Sequence, residues 1–296
     1  MAACALGLTA TLSACSNTDD DPLAEVPAFD VDPGRVTLVD AGGGDKKVLS
    51  YATEGANQST SIEIANGVYQ GAIAADRVNP EAPEPSASPK DSQAADTSTV
   101  DKQTLQLDAT STGETTDVVA EGFHMRWSAD PTGQITEVKL LPAEDSTDEE
   151  RQRLERALLQ LLSTMPVFPR EEVGEGASWT ATARTTGQST MRRTTTYTIT
   201  KIEGSTITLD LDIGEEPTQK ELDLGTAPGA APGEAGSDKL TTESALTTSQ
   251  AEITVDLNRP IPIAGQNSAT TRVVYSGPNQ DFKVVQDVTT STRYGS

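Results

Sequence analysis

Alternating apolar and polar residues recur along much of the chain, which is the pattern of strands that bury one face. Residues 206–213 read TITLDLDI, so Ile and Leu lie on one face and Thr and Asp on the other. Residues 197–202 and 123–128 alternate similarly, and Glu203-Gly204 is a turn signal between two of these runs. Threonine, which favours half-buried strands, is unusually abundant. The pattern therefore predicts a protein that is mainly β.

One segment follows a helical pattern instead. Its apolar residues recur at three- and four-residue spacings: Leu154, Ala157, Leu158, Leu161, Leu162 and Met165. Two overlapping capping boxes fit its start, Ser146–Glu149 and Thr147–Glu150, and two prolines follow its end. We predict one clear amphipathic α-helix over residues 147–165.

The order of elements in the first half of the chain resembles the order in the second half. Each half contains Thr-rich strands, an insert, and a hairpin that begins at an aromatic residue, Trp127 in one and Tyr275 in the other. We predict two similar antiparallel β lobes, residues 35–145 and 146–296, joined by the helix, and a possible internal duplication explains their likeness. The alternative is that Thr-rich strands and Gly turns resemble each other through composition alone.

Two segments lack the apolar residues that a packed core needs. Residues 78–99 contain mostly Pro, Ser, Ala and acids, and residues 226–239 read TAPGAAPGEAGSDK. Neither can bury enough apolar area to offset the entropy cost of ordering the chain. We expect both inserts to be loops or disordered.

The N-terminal residues resemble the signal of a bacterial lipoprotein. Residues 3–15 are uncharged and apolar, too short to span a bilayer as a helix, and end in LSAC. This ending resembles a lipobox, in which an aliphatic and two small residues precede the Cys that receives the lipid. We predict that residues 1–14 are a signal peptide, that cleavage occurs between Ala14 and Cys15, and that lipid is attached to Cys15. The alternative is a coincidental apolar N-terminus with two free or buried thiols.

A polar and acidic stretch follows the predicted lipid site. Residues 15–34 would form a flexible tether of about 60 Å at full extension. Because residues 1–4 contain no Lys or Arg, we expect the basic start of the signal to lie upstream of Met1.

The overall charge and composition narrow the function classes. The chain has 45 acidic and 22 basic residues and a net charge of -23, which argues against binding nucleic acid. One His and two Cys argue against a metal cluster or a disulfide scaffold. We expect no cofactor, no metal and no nucleic-acid partner.

Candidate catalytic residues each have an ordinary structural explanation. His124 alternates with apolar residues and should face away from them, without a nucleophile beside it. The glycines of residues 42–47, GGGDKK, lack the GKS/T ending of a phosphate loop and suit a hairpin turn. Asp210 and Asp212 share a strand face and are better explained as solvent-facing acids than as calcium ligands.

A loop cluster of acids and two tryptophans raise the question of sugar chemistry. Glu171, Glu172 and Glu175 lie close in sequence, but glycoside hydrolysis needs two acids across a cleft, usually with aromatic platforms. We expect Trp127 and Trp179 to fill the cores of the two lobes. These patterns predict a protein that is not an enzyme.

Three features together resemble a family of uncharacterised actinobacterial predicted lipoproteins that is described only as a domain of unknown function. They are the lipobox at Cys15, the helix that runs into MPVFPREEVGEGASW, and the Thr-rich strands after it. The likeness covers most of residues 35–293, and its distinctive motif is Pro166–Trp179. It implies a secreted envelope protein and assigns no activity. A looser likeness of architecture is to LolA-type half-barrel lipoproteins, whose curved sheet and helices enclose an apolar cavity.

The function expected from these observations is that of a membrane-anchored, extracytoplasmic lipoprotein with a non-enzymatic binding or structural role in the cell envelope. Its partners would be the membrane, through lipid at Cys15, and an envelope protein, a wall polymer or a lipid. The alternative is a lipid or glycolipid carrier with an apolar cavity between sheet and helix. The leucine face of the helix suits either the wall of such a cavity or an ordinary core.

Overall fold

The computed structural model describes residues 21–31, 33–85, 99–185, 191–223 and 239–295. Its strands in chain order are β1 (Phe29–Asp30), β2 (Arg35–Asp40), β3 (Gly43–Val48), β4 (Asn57–Ala74), β5 (Thr99–Ser111), β6 (Thr115–Ala120), β7 (Phe123–Ala129), β8 (Ile135–Leu141), β9 (Glu172–Glu175), β10 (Ser178–Thr185), β11 (Met191–Glu203), β12 (Thr206–Pro217), β13 (Glu221–Asp223), β14 (Lys239–Asp256), β15 (Ala264–Ser276) and β16 (Phe282–Tyr294). A 3-10 turn, Ala75–Arg77, follows β4, and one α-helix, α1 (Asp148–Thr164), lies between β8 and β9. The prediction of a mainly β protein with one helix is confirmed for the described chain.

One antiparallel sheet contains 14 of the described strands. Its order is β1-β8-β7-β6-β5-β4-β16-β15-β14-β12-β11-β10-β2, with β13 beside β14, and β3 and β9 form a small second sheet. Most strands of the two predicted lobes form two runs of this sheet, β4–β8 and β10–β16, but β2 of the first predicted lobe pairs with β10 of the second. The runs meet where β4 pairs with β16, from Ile62 opposite Tyr294 to Ala74 opposite Phe282. The two lobes therefore share one sheet.

The two edge strands of the large sheet are consecutive in the chain. β1 pairs with β8 and β2 pairs with β10, so Asp30 and Arg35 lie at opposite edges of the sheet. Val31 N donates to Thr136 O at 2.9 Å on the β8 side. On the β10 side Gly34 has φ +68°, and a Cβ there would lie 2.8 Å from Thr182 O. Glycine permits both the left-handed backbone and this close approach.

Helix α1 begins at one of the two predicted capping boxes. The Thr147 side chain accepts a hydrogen bond from Glu150 N, and the Glu150 side chain accepts one from Thr147 N. The helix ends at Thr164, before the prolines, as the sequence predicts. In the described part of the chain, no helix combines the length and apolar character that crossing a membrane requires.

The leucine face of α1 lies in the core of the sheet. Ala157, Leu158 and Leu161 have 0% of their surface exposed. They belong to one apolar cluster with residues of β4 to β8, β10 to β12, β14 and β15, so the sheet curves around the helix. A side chain that lined a water-sized cavity would keep some accessible surface. The face is therefore packed as solid core at these three residues.

The beginning of the first predicted insert is a loop that lies on the outer face of the sheet. Three outer-face side chains of β14 and β15 donate hydrogen bonds to it: Thr248 to Ala82 O, Gln250 to Glu84 and Arg272 to Asn79 O. Residues 86–98 of this insert, and residues 226–238 of the second, lie outside the described residues. The inserts end one residue earlier than predicted, because Thr99 begins β5 and Lys239 begins β14.

Candidate functional site

The predicted lipid site at Cys15 and the cleavage position after Ala14 lie outside the described residues. The other chemical candidates are described. His124 lies half-buried on the outer face of β7, opposite Val119 and Leu141, and so faces away from the core as predicted. Asp210 and Asp212 are exposed on the outer face of β12, also as predicted.

The glycine-rich segment of residues 42–47 does not form the hairpin that its sequence predicts. Strand β3 pairs with β9 of the second half and not with the preceding strand β2. The reason is the turn at Gly42, where φ is +70° and a Cβ would lie 2.7 Å from Gly174 O. This close approach directs β3 onto β9.

The acidic cluster around β9 is exposed. Glu172 and Glu175 are exposed at the two ends of β9, and Glu175 Oε1 accepts a hydrogen bond from Ile202 N at 3.1 Å. Within the described ranges, no three side chains of His, Cys, Asp or Glu are placed to hold a metal ion.

The motif Pro166–Trp179 folds back on itself and forms an aromatic stack in the core. Trp179 Nε1 donates to Val167 O at 2.8 Å, and the rings of Phe168 and Trp179 lie 5.9 Å apart. The Trp179 ring stacks on Tyr197 at 5.4 Å and 13°. Trp179 is fully buried and Trp127 nearly so, which confirms that both are core residues.

The buried tyrosines of this region are held in their neutral form. Burial raises the pKa of Tyr197 to about 12, although Arg193 and Thr195 lower it in part. Burial also raises the pKa of Tyr51 and of Tyr294 well above the ordinary value for tyrosine. Tyr294 shares a hydrogen bond of 2.8 Å with Thr164 of the helix. These hydroxyls therefore stay protonated in the core, where those of Tyr51 and Tyr294 make hydrogen bonds.

A cavity of about 30 Å³ lies beside the aromatic stack. Its walls include Tyr51, Thr53, Trp127, Met165 and Pro260. One water needs about 10–15 Å³, whereas organic ligands occupy sites of about 300–1,000 Å³. This cavity has room for two or three waters and is too small for a lipid or a sugar.

Asp130 lies at the edge of this cavity, and its carboxylate accepts hydrogen bonds from residues of its own turn. Asp130 Oδ1 accepts hydrogen bonds from Thr132 N at 2.9 Å and Gln134 N at 3.1 Å, and Arg170 pairs with Oδ2 at 2.9 Å. Burial alone would raise the pKa of Asp130, but these hydrogen bonds and the Arg170 charge outweigh it and lower the pKa. The carboxylate stabilises the β7–β8 turn that the sequence predicts.

The interior also contains an ion pair that the sequence analysis does not single out. Arg193 Nε lies 2.7 Å from Glu215 Oε1, and both side chains are buried. Three threonines complete the network: Thr271 donates to Glu215 Oε2, Thr290 accepts from Arg193 Nη2, and Thr247 accepts from Glu215 N. The sequence contains a signal for the inward position of Arg193, because alternation from Tyr197 through Thr195 places Arg193 on the inner face of β11.

The first described residues are bound to the outer face of the sheet and do not form a free tether. Arg126 lies between two carboxylates, Asp117 at 2.5 Å and Asp21 at 2.8 Å. Leu23 is 2% exposed, and Lys139 Nζ donates to Leu23 O at 3.0 Å. The prediction of a flexible tether up to residue 34 is therefore corrected over residues 21–31. The local composition is polar, but a buried Leu and an ion-pair network hold the segment.

Comparison with protein-family models, with curated proteins and with solved structures finds no match to this chain.

Proposed function

We propose that this protein is a lipid-anchored, extracytoplasmic lipoprotein with a non-enzymatic binding or structural role in the cell envelope. The observation that carries the proposal is the apolar run that ends in Leu12-Ser13-Ala14-Cys15. The thiol of Cys15 would receive a diacylglyceryl group, and the small residues before it suit a peptidase that binds an extended backbone. Two or more acyl chains give a stable membrane attachment, where one chain gives only reversible binding.

A non-enzymatic role is supported by how the reactive side chains are used. Asp130 stabilises a turn, the buried tyrosines are kept neutral, and the Arg193–Glu215 pair is enclosed by threonines. In each case the hydrogen bonds of the group stabilise the folded protein.

The packing of α1 favours a binding or structural protein over a lipid carrier. A carrier needs an apolar cavity for acyl chains, and the leucine face of the helix is the apolar surface that would form its wall. That face is enclosed by side chains of the sheet, with 0% exposure at Leu158 and Leu161. Acyl chains could enter there only if the helix moved away from the sheet.

The anchor is tested by expressing the full chain, with a functional signal, in a bacterial host that processes lipoproteins. We expect the N-terminal peptide to begin at Cys15 and to carry acyl mass, and the protein to fractionate with membranes. A Cys15→Ala variant should lose both properties. The matched control Cys4→Ala removes the other thiol and should keep them. Unmodified Cys15 in the wild-type protein would overturn the proposal.

The carrier alternative is tested by native mass spectrometry of the detergent-extracted protein. We expect the mass of the acylated chain with nothing further bound. An additional mass that dissociates as lipid would favour the carrier, and a Leu158→Ala variant would then be expected to change the amount of bound lipid.

A further inference from the structure

The segment Asp21–Leu23 is attached to the sheet at a defined place. Asp21 accepts hydrogen bonds from Arg126 Nη1 at 2.8 Å and Nη2 at 3.1 Å, and Asp117 accepts from Nε at 2.5 Å and Nη2 at 3.1 Å. All three guanidinium nitrogens of Arg126 are thus engaged by two carboxylates. Arg126 hydrogen bonds lower the pKa of Asp21, which keeps the carboxylate charged. We call Asp21, Leu23, Asp117, Arg126 and Lys139 the N-terminal clamp.

The leucine of the clamp adds apolar burial to these charges. Leu23 N donates to Asp21 Oδ1 at 3.0 Å, which closes a tight turn and directs the Leu23 side chain onto the sheet. Lys139 of β8 then binds the carbonyl of the same residue. Asp117, Arg126 and Lys139 lie opposite one another on β6, β7 and β8, so the clamp is one row of the outer face.

The covalent distance from the predicted lipid site to the clamp is short. Cys15 and Asp21 are six residues apart in the sequence, and six residues span at most about 22 Å. A tether free as far as residue 34 would reach about 60 Å. The clamp therefore limits how far this part of the sheet can lie from the lipid headgroups.

We propose that the outer face of β6–β8 around the clamp faces the membrane, and that its partner is the headgroup layer of a phospholipid bilayer. This inference rests on the proposed lipid anchor at Cys15. Asp21 follows Cys15 by only six residues, so the face that binds Asp21 is held within about 22 Å of the anchor.

The charge of this face suits that position. The chain has a net charge of -23, whereas the four charged groups of the clamp, two Asp, one Arg and one Lys, sum to zero. Glu137 lies on the same face of β8 and adds one negative charge to this face. Anionic headgroups repel clustered carboxylates, so this nearly neutral face approaches them at lower electrostatic cost than a strongly acidic face would.

The next row of the same face provides a position for a probe. Val119, His124 and Leu141 lie opposite one another there, and Val119 is partly exposed. The matched position is Leu246, which is also partly exposed on the outer face but lies on β14. Five strand spacings separate β6 from β14 in the sheet, which is about 24 Å along its surface.

The test uses the full lipoprotein, acylated at Cys15, in phosphatidylcholine–phosphatidylglycerol vesicles that contain a nickel-chelating lipid. A nitroxide is attached in separate proteins to Val119→Cys or Leu246→Cys, and its relaxation by the headgroup nickel is measured. We expect relaxation at position 119 to exceed that at position 246 several-fold. The double substitution Asp21→Asn with Leu23→Ala should remove the difference, and the exposed control Glu25→Gln should keep it.

The outcomes separate this inference from the proposed anchor. Equal relaxation at the two positions, in protein that carries acyl mass, overturns the orientation and leaves the anchor in place. A difference that survives loss of the clamp overturns the role of Asp21 and Leu23. Protein without acyl mass that does not bind the vesicles overturns the anchor and this inference with it. Circular dichroism of each variant checks that the sheet is folded.

Discussion

Arg193 and Glu215 form an ion pair of 2.7 Å inside the sheet, while Arg192 and Glu216 pair on the outside of the same two strands. The inner side chains are 6% and 4% exposed, and the outer ones are 59% and 64% exposed. Successive residues of a strand point to opposite faces, so one step in sequence moves a pair from core to solvent. The two pairs have the same chemistry and differ in environment.

Neutralising the inner carboxylate should destabilise the protein strongly. Glu215→Gln leaves the buried Arg193 charge without its partner, and removing one member of a buried pair costs about 3 kcal/mol or more of unfolding free energy. Glu216→Gln, the matched control, should cause little change, because exposed pairs contribute little. Urea unfolding of the two variants measures both effects. Equal losses would show that burial of the inner pair has no energetic consequence.

Alkaline pH should unfold the protein in part through its buried tyrosines. The pKa of Tyr197 is about 12 in the folded protein and 10.0 is the ordinary value. The unfolded chain therefore releases this proton first, and stability falls as pH rises from about 10 to 12, by on the order of 3 kcal/mol for this group. Tyr197→Phe should flatten that fall.

The control for this experiment is Tyr69→Phe, at a half-exposed tyrosine on the outer face of β4. It should leave the alkaline fall in stability nearly unchanged. The measurement is the midpoint of urea unfolding at four pH values, which are 9, 10, 11 and about 12. If Tyr197→Phe and wild type lose stability in parallel, the Tyr197 hydroxyl does not titrate differently in the two states.

The aromatic stack should depend on Phe168. Phe168→Ala removes a buried ring that contacts both Tyr51 and Trp179, and deletions of this kind cost about 3–5 kcal/mol. Phe282→Ala, at an exposed phenylalanine of β16, should cost much less. Thermal unfolding measures the stability, and Trp fluorescence reports whether water reaches Trp179. A small loss for Phe168→Ala would mean that the neighbouring residues fill the space.

The start of α1 should depend on the hydroxyl of residue 147. Thr147→Ala removes the acceptor for Glu150 N and should cost about 1 kcal/mol, whereas Thr147→Ser keeps the hydroxyl and should restore most of the stability. Hydrogen bonds from Thr147 lower the pKa of Glu150. The contribution of that carboxylate is present above its ordinary value of 4.5 and is lost as pH falls through the folded pKa.

The stabilities of these variants at pH 7 and at acidic pH, from urea unfolding, test both parts of this prediction. The difference between Thr147→Ala and Thr147→Ser should narrow on acidification, because the hydroxyl that only the Ser variant keeps also donates to Glu150 Oε2, and a protonated carboxyl group accepts that bond more weakly. Equal stability of the two variants at pH 7 would contradict the cap.

The local elements were largely predictable because each leaves a periodic signal. The period of two in residues 206–213 indicates strand β12, and the leucine spacing of residues 154–165 indicates α1. The core positions of Trp127 and Trp179 followed from the same signals. The choice between two capping boxes did not, because both have the required residues and only the helix geometry selects Thr147.

The binding of residues 21–31 could not be predicted from their composition. The segment is polar and acidic, which is typical of a tether, yet Asp21 and Leu23 are bound at its start and β1 pairs with β8 near its end. Their partners, Lys139 and Arg126, lie more than a hundred residues away in the chain. A contact between residues so far apart in the chain has no signal in the local pattern of apolar and polar residues.

The sequence by itself determined the alternating strands such as β7, β11 and β12, the position of the helix, and which side chains of these strands face inward. Only the tertiary structure decided that β4 pairs with β16, that β3 pairs with β9, and that Arg193 faces Glu215 across the interior. Burial of one face is a property of each segment, and period-two alternation records it. The pairing of strands depends on which strand edges meet. Because one alternating Thr-rich strand resembles another, the sequence pattern does not select the partner, and the packing of the whole sheet around α1 sets the pairing and its register.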